Sequence, residues 1–164
     1  GTGNDFVMLD NLSGQYDNLT LDQIRFLCDR KLGVGADGLI KISNDEIYDF
    51  NVEYYNSDGS QSFCGNGARC SVAFAQTLGV VQESTKFRAI DGIHQAKLTL
   101  DGRVHLEMLD VTGFEAEDEN SLSKSEDYIM DTGSPHYVRF ADAESVPDII
   151  SFGKEIRYSD RFKQ

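Results

Sequence analysis

No apolar run in the chain approaches the roughly 20 residues needed to cross a bilayer. The opening stretch GTGNDFVMLDN (1–11) has neither a basic n-region nor a signal-like apolar core. Neither a membrane span nor an export leader is therefore expected within the chain. Positive charge is also short, since 15 Lys and Arg face 28 Asp and Glu for a formal charge of -13. Such a surface repels phosphate backbones and anionic lipid, which excludes nucleic acid and membrane surfaces as natural partners. Cysteine is scarce and odd in number. Cys28, Cys64 and Cys70, spaced by 36 and 6 residues, fit neither a disulfide framework nor a zinc pattern. A reducing cytoplasm is the simplest setting.

What is there suffices for a packed core. At 164 residues, 40% hydrophobic and 10% aromatic, the chain fills one ordinary domain or two small ones. The acid is concentrated in FEAEDENSLSKSEDY (114–128), which reads as a solvated loop between two structured regions. The simplest organisation is a first α/β domain over 1–110 and the beginning of a second, incomplete one over 111–164. The first residue is Gly1 rather than methionine, and KEIRYSDRFKQ stops without a closing turn or cap. Both features read as a piece of a longer protein.

Local patterns predict the elements. FVMLDN (6–11) is a short strand entered from a Gly-x-Gly-Asn turn, so Asn4 sits at a strand mouth. Thr20 with Gln23 has capping-box spacing ahead of a helix whose apolar face holds Leu21, Ile24, Phe26, Leu27 and Cys28. LIKIS (39–43) and IYDFNVEYYN (47–56) are strands. GNGARCSVAFAQTLG (65–79) is a helix with Gly79 at its C′ position. KFRAI, IHQAKLTL and RVHLEML, joined by Asp-Gly pairs, form a three-strand meander. DYIMDTGSPHYVRF (127–140) returns to strand character, and a short helix near 145–152 and one extended piece follow.

Chemistry concentrates around Cys64. It lies at the N-terminal end of the 65–79 helix, where unpaired N–H groups and the helix dipole favour a negative charge such as a thiolate. Gly65 and Gly67 allow a ligand close to the backbone, and a substrate carboxylate could take the same N–H groups. Free cysteine is equally at home as a small packed hydrophobe, and spacing alone does not choose. Cys28 and Cys70, inside helices, read as core. Asn4 in GNDF and Asn56 in YNSDG make either local turn bonds or a pair of amides aimed at one pocket, where they suit both an ammonium and a carboxylate. His136 follows Pro135 in a short stiff loop from which it could orient or charge-balance a thiol. His94 and His105 read as ordinary strand residues. GVGADG (33–38) lacks the Lys-Ser/Thr of a P-loop and does not complete G-x-G-x-x-G, so nucleotide binding is not expected.

Taken in order, GTGNDFVMLDN, GVGADGLIKI, YYNSDGSQSFCGNGARC and TGSPHYV resemble the signature segments of the diaminopimelate epimerase family. The resemblance runs the length of the chain, and CGNGARC is its most specific piece. It implies an α/β (α+β) fold of two pseudo-symmetric domains, each a curved mixed sheet around a central helix, with residues 66–78 as the first such helix. It also implies cofactor-independent epimerisation of LL- to meso-2,6-diaminopimelate in lysine and cell-wall precursor biosynthesis. One cysteine from each domain faces the α-carbon, and Cys64 matches the first-domain cysteine. The family's substrate contacts fall on Asn4, Asn56, Gly65 and Asn66, and its thiol-tuning histidine on His136.

Two positions depart from the family pattern. Gly38 stands where Gln is frequent, which removes a side-chain contact, and Ser134 stands where Asn is frequent, which keeps one hydrogen bond. The resemblance places the second cysteine, a Glu-Arg pair and a further Asn after residue 164. The chain by itself would then hold half of an active site and be inactive, a non-catalytic ligand-binding half. Proline racemases and phenazine-type isomerases are similar in architecture, though the Asn4 and Asn56 motifs favour diaminopimelate. The sequence leaves the oligomeric state open, a homodimer among the options.

Overall fold

Thr20 starts the first helix as its spacing predicts. Its hydroxyl accepts from the Gln23 backbone N–H while the Gln23 side chain accepts from the Thr20 N–H, a complete capping box on α1 (Leu21–Cys28). The structure, a computed structural model, describes residues 3–116, 127–140, 148–160 and 162. Chain contacts divide it into two units, Gly1–Thr112 with Asp131–Ser134, and Gly113–Met130 with Pro135–Gln164.

In the first unit, β1 (Phe6–Asp10), β2 (Gly38–Ser43), β3 (Phe50–Asn56), β4 (Ser84–Ala89), β5 (Gly92–Leu98) and β6 (Val104–Leu106) form a six-stranded sheet in that order. The β1–β2 and β3–β4 pairs are parallel and the others antiparallel. β2 is buried on both faces. Ile40 and Ile42 pack with Phe50, Val52, Val72 and Phe87, while Leu39 on the opposite face packs with Ile24 and Cys28 of α1. α2 (Gly65–Thr77) touches both edge strands, β1 and β6, besides β2, β3 and β5. Six flat strands span roughly 24 Å at about 4.8 Å spacing, whereas a helix with its side chains is about 10–12 Å across. One helix reaches both edges only if the sheet curls around it, the curved sheet and central helix that the resemblance implies.

The second unit holds all but the first residue of β7 (Thr112–Ala116) and the last of β8 (Asp127–Asp131), which form a three-stranded sheet with β9 (Pro135–Arg139), followed by α3 (Ile149–Arg157). The buried Asp127 carboxylate accepts from the Tyr137 hydroxyl and from Arg139 Nε, both at 2.6 Å, and the Arg139 guanidinium lies 4.2 Å from the Phe152 ring centroid. Among the described residues no helix is long and apolar enough to cross a membrane.

Several expectations shift. The 47–56 strand begins only at Phe50, because the Asp45 carboxylate accepts from the Ile47 and Tyr48 N–H groups and holds that segment in a turn. In the first hairpin Ala89 pairs with Gly92, so Ile90 and Asp91 occupy the turn one residue ahead of the Asp-Gly reading. Strands β7 and β8 cut into the ends of the acidic 114–128 loop, whose residues 117–126 lie outside the described residues. The last helix starts at Ile149, capped by Asp148, and runs on to Arg157 into the piece read as extended; residues 145–147 of the predicted span also lie outside the described residues. Leu21 and Phe26 are exposed, because only Ile24 and Cys28, one turn apart, are buried on α1. Cys70 is also exposed rather than core. The buried stripe of α2 runs through Gly67, Ala68, Ser71, Val72 and Ala75, and Cys70 falls off it.

Candidate active site

The N-cap of α2 is Cys64 itself. Its Sγ accepts from the Gly67 backbone N–H at 3.4 Å, so the sulfur sits at the positive end of a 13-residue helix and is part-buried. A cavity of about 10 Å³, room for roughly one water, adjoins it, lined in part by Val52, Tyr54, Ser62, Phe63 and Ala68.

Asn4 and Asn66 meet at this helix start, with Asn66 Nδ2 donating to Asn4 Oδ1 at 2.8 Å. Asn4 Nδ2 donates in turn to Asp37 Oδ2 at 2.8 Å, and Arg69 donates to Asn66 Oδ1. Asn56 is held separately. Its Nδ2 donates to Ser60 Oγ at 3.1 Å and to Ser62 Oγ at 3.2 Å, two residues before Cys64, and its Oδ1 accepts from the Tyr54 hydroxyl at 2.8 Å. The two amides of the pocket reading thus occupy distinct hydrogen-bond clusters. Asn56 makes the local bonds of the alternative reading, whereas Asn4 reaches across the chain. Burial above all pushes the Tyr54 phenol up to about 12, so it stays protonated and donates to Asn56 across the neutral range.

Gly65 opens α2, with Met108 beside its Cα. Ser134 Oγ donates to the Phe63 carbonyl at 3.0 Å, tying it to the residue before Cys64. Behind Phe63, the ring of His94 stacks at 4.3 Å between centroids, and its Nε2 lies 2.9 Å from Asp91 Oδ1. His94 is therefore a buried packing residue, while His105 is exposed on its strand. His136 belongs to the second unit, exposed on β9, where it lines an apolar cavity of about 350 Å³ with Ile129, Pro135, Tyr137, Phe152 and Phe162. Cys28 is buried against Ile24 and Leu39, and that burial pushes its thiol up.

Asp37, Tyr54 and Arg69 are site neighbours that no motif reading singles out by role. For Asp37 a signal exists: it is the charged residue in GVGADG, whose glycines answer to packing instead of phosphate. A Cβ on Gly33 would lie 1.8 Å from the Phe26 carbonyl, and one on Gly38 would lie 2.5 Å from the Tyr54 ring. Among the described residues no group of three His, Cys, Asp or Glu is placed to hold a metal ion.

A mixed sheet curled about a cysteine-capped helix is an α/β architecture with a solved parallel. The crystal structure of a Bacillus anthracis phenazine biosynthesis protein of the PhzF family matches 84% of this chain and 50% of that one, with a TM-score of 0.55. At 16% identity this likeness shows the fold alone. The chain belongs to the diaminopimelate epimerase family, whose model, described as Diaminopimelate epimerase, matches residues 1–112. Two proteins named diaminopimelate epimerase, from Flavobacterium psychrophilum and Chlorobaculum tepidum, are 45% and 36% identical over 100% and 97% of the chain. The chain spans 62% of the length of each.

Proposed function

We propose that the protein epimerises LL-2,6-diaminopimelate to meso-diaminopimelate without a cofactor, with Cys64 acting on one face of the α-carbon. The observation that carries this reading is Cys64 as the N-cap of α2, with the Asn4–Asn66 pair at the same helix start. As a thiolate, Cys64 takes the α-proton: the C–H bond breaks, an S–H bond forms, and the electron pair passes into an enolate-like state. The N–H groups of Gly65 and Asn66 and the helix dipole suit the carboxylate that shares that charge. A second thiol on the opposite face returns a proton and becomes the thiolate, so that one proton leaves, one arrives and the centre inverts.

Neither other cysteine of this chain suits that second role. Cys28 is buried against the far face of the sheet, and Cys70 is exposed on α2, six residues beyond Cys64. We assign the second thiol to the remaining length that the relatives possess, residues 1–110 to the first catalytic domain and 111–164 to the opening of the second. Asn56, Gly65, Asn66 and Ser134 are assigned to substrate binding with Asn4, and His136 to tuning the thiol pair. The cytoplasm is the assigned compartment.

The test is solvent exchange. The intact gene product incubated with LL-diaminopimelate in D2O should place deuterium at the α-carbon as the meso isomer forms, and absence of exchange would remove the proposal. Gly38 gives a specific reason to include proline and other amino acids in the same assay, because no side chain from that position reaches the site. Faster exchange with one of them would move the substrate assignment while keeping the mechanism.

A further inference from the structure

We infer that Asp37 is a positioning residue that fixes the amide orientation of Asn4 and, through it, of Asn66. The inference rests on the substrate-binding role proposed for those asparagines. An amide side chain can turn end for end, exchanging donor and acceptor, unless its partners permit only one sense. Here both ends of the chain are charged groups with a single sense. An ionised carboxylate only accepts and a guanidinium only donates.

Asp37 Oδ2 accepts from Asn4 Nδ2 at 2.8 Å, so the Asn4 oxygen must face Asn66. Asn66 Nδ2 donates to that oxygen at 2.8 Å, which turns the Asn66 oxygen toward Arg69. All three bonds therefore run in one direction, from Arg69 through Asn66 and Asn4 to Asp37. Reversing either amide would set donor against donor or acceptor against acceptor at two contacts.

Asp37 is itself immobilised. Arg30 Nη2 donates to its Oδ1 at 2.8 Å, and the same guanidinium grips Asp5 through two bonds of 2.9 and 2.8 Å. The Asp37 backbone N–H donates to Asp5 Oδ1 at 3.0 Å, and its carbonyl accepts from the Ser57 N–H at 3.2 Å. Both carboxylate oxygens are thus engaged, one by Arg30 and one by Asn4. Those two bonds, Asn4 first, also hold the Asp37 carboxyl below the usual range, so it is ionised and acceptor-only at neutral pH. The acid of the GVGADG loop thereby has a use that phosphate binding did not supply.

The experiment replaces Asp37 by Asn, which keeps the shape and removes the single sense. In the intact gene product D37N should raise KM for diaminopimelate about tenfold and leave kcat within about twofold, since Asp37 touches no reacting atom. Asp22→Asn, the same chemical change at an exposed acid outside the chain of bonds, should change neither. The second readout needs no substrate. In the ligand-free protein the Asn66 side-chain amide resonance should move on D37N although Asn66 does not touch position 37, and it should also move on Arg69→Gln. An unmoved Asn66 resonance, or an unchanged KM beside a moved one, overturns the inference. If the wild-type protein catalyses no exchange, the functional reading fails and the amide resonances alone decide the orientation claim. If D37N does not fold, Arg69→Gln at the other end of the chain answers with the same two readouts.

Discussion

Substituting Gly38 by alanine should destabilise the protein, although alanine ordinarily improves on glycine in a strand. The backbone gain is about 0.5–1 kcal/mol. Against it, the new Cβ would lie 2.5 Å from Tyr54 Cε2 and 2.5 Å from the Tyr55 carbonyl oxygen. That oxygen belongs to the β2–β3 ladder, where Gly38 faces Asn56 and Leu39 faces Tyr55, so it cannot retreat without disturbing the pairing. The Tyr54 ring is held edge-on to Phe6 with centroids 5.8 Å apart, and its hydroxyl is anchored to Asn56. Overpacking of this kind costs about 1–3 kcal/mol, and loss of the Tyr54–Asn56 bond adds about 1 kcal/mol. The net is about 2 kcal/mol, a fall of roughly 4–8 °C in Tm for a chain of this size. Thermal unfolding followed by circular dichroism measures it. An unchanged or raised Tm for Gly38→Ala would show that the Tyr54 ring does not fill the space beside Gly38.

Acid should weaken the fold in a defined window. Asp5, held at about 2 mainly by its hydrogen bonds from Arg30, and Asp37 and Asp45, likewise lowered, bind protons more weakly folded than unfolded. Their stabilisation is present above about pH 4 and is lost as pH falls toward 2. Tm measured from pH 5 to 2 should drop, with a shallower slope in Arg88→Gln, which removes the partner of Asp45. His94→Phe should keep the stack on Phe63 yet leave Asp91 Oδ1 without its partner beside an Oδ2 that already has none, at a cost of about 2–4 kcal/mol. Adding Asp91→Ala should recover much of that loss in denaturant titrations. Thiol labelling of the native protein should modify Cys70 and Cys64 and spare Cys28, which should react only after unfolding.

How far the fold was legible depended on where the deciding contact lay. The Thr20–Gln23 box and the start of α2 at Gly65 are set by residues within one helical turn, and both stand as the spacing predicts. Apolar patterning starts β3 at residue 47, three residues early, because it does not register that the Asp45 side chain takes N–H groups a strand would use. Cys70 misled because small residues surround it in the sequence, while the buried stripe of α2 is set by the sheet that curls over it. At the candidate site, motif spacing singles out Cys64 and both asparagines. It could not show that Asn4 reaches Asp37, 33 positions away, and Asn66, 62 positions away, while Asn56 turns to Ser60, Ser62 and Tyr54. The Asn4–Asp37 contact follows from the parallel pairing of β1 with β2, which brings residues 4 and 37 together at one strand mouth.

The two thiols of CGNGARC sit differently on the same helix. Cys64 caps the helix with its sulfur on the Gly67 N–H, and Cys70 lies exposed on the same helix. In the intact gene product, deuterium incorporation at the α-carbon of diaminopimelate should be abolished by Cys64→Ala, with the circular dichroism spectrum little altered, and should persist in Cys70→Ala. Persistent exchange in Cys64→Ala, or its loss in a folded Cys70→Ala, would contradict the assignment of Cys64 as the acid and base of this half of the site.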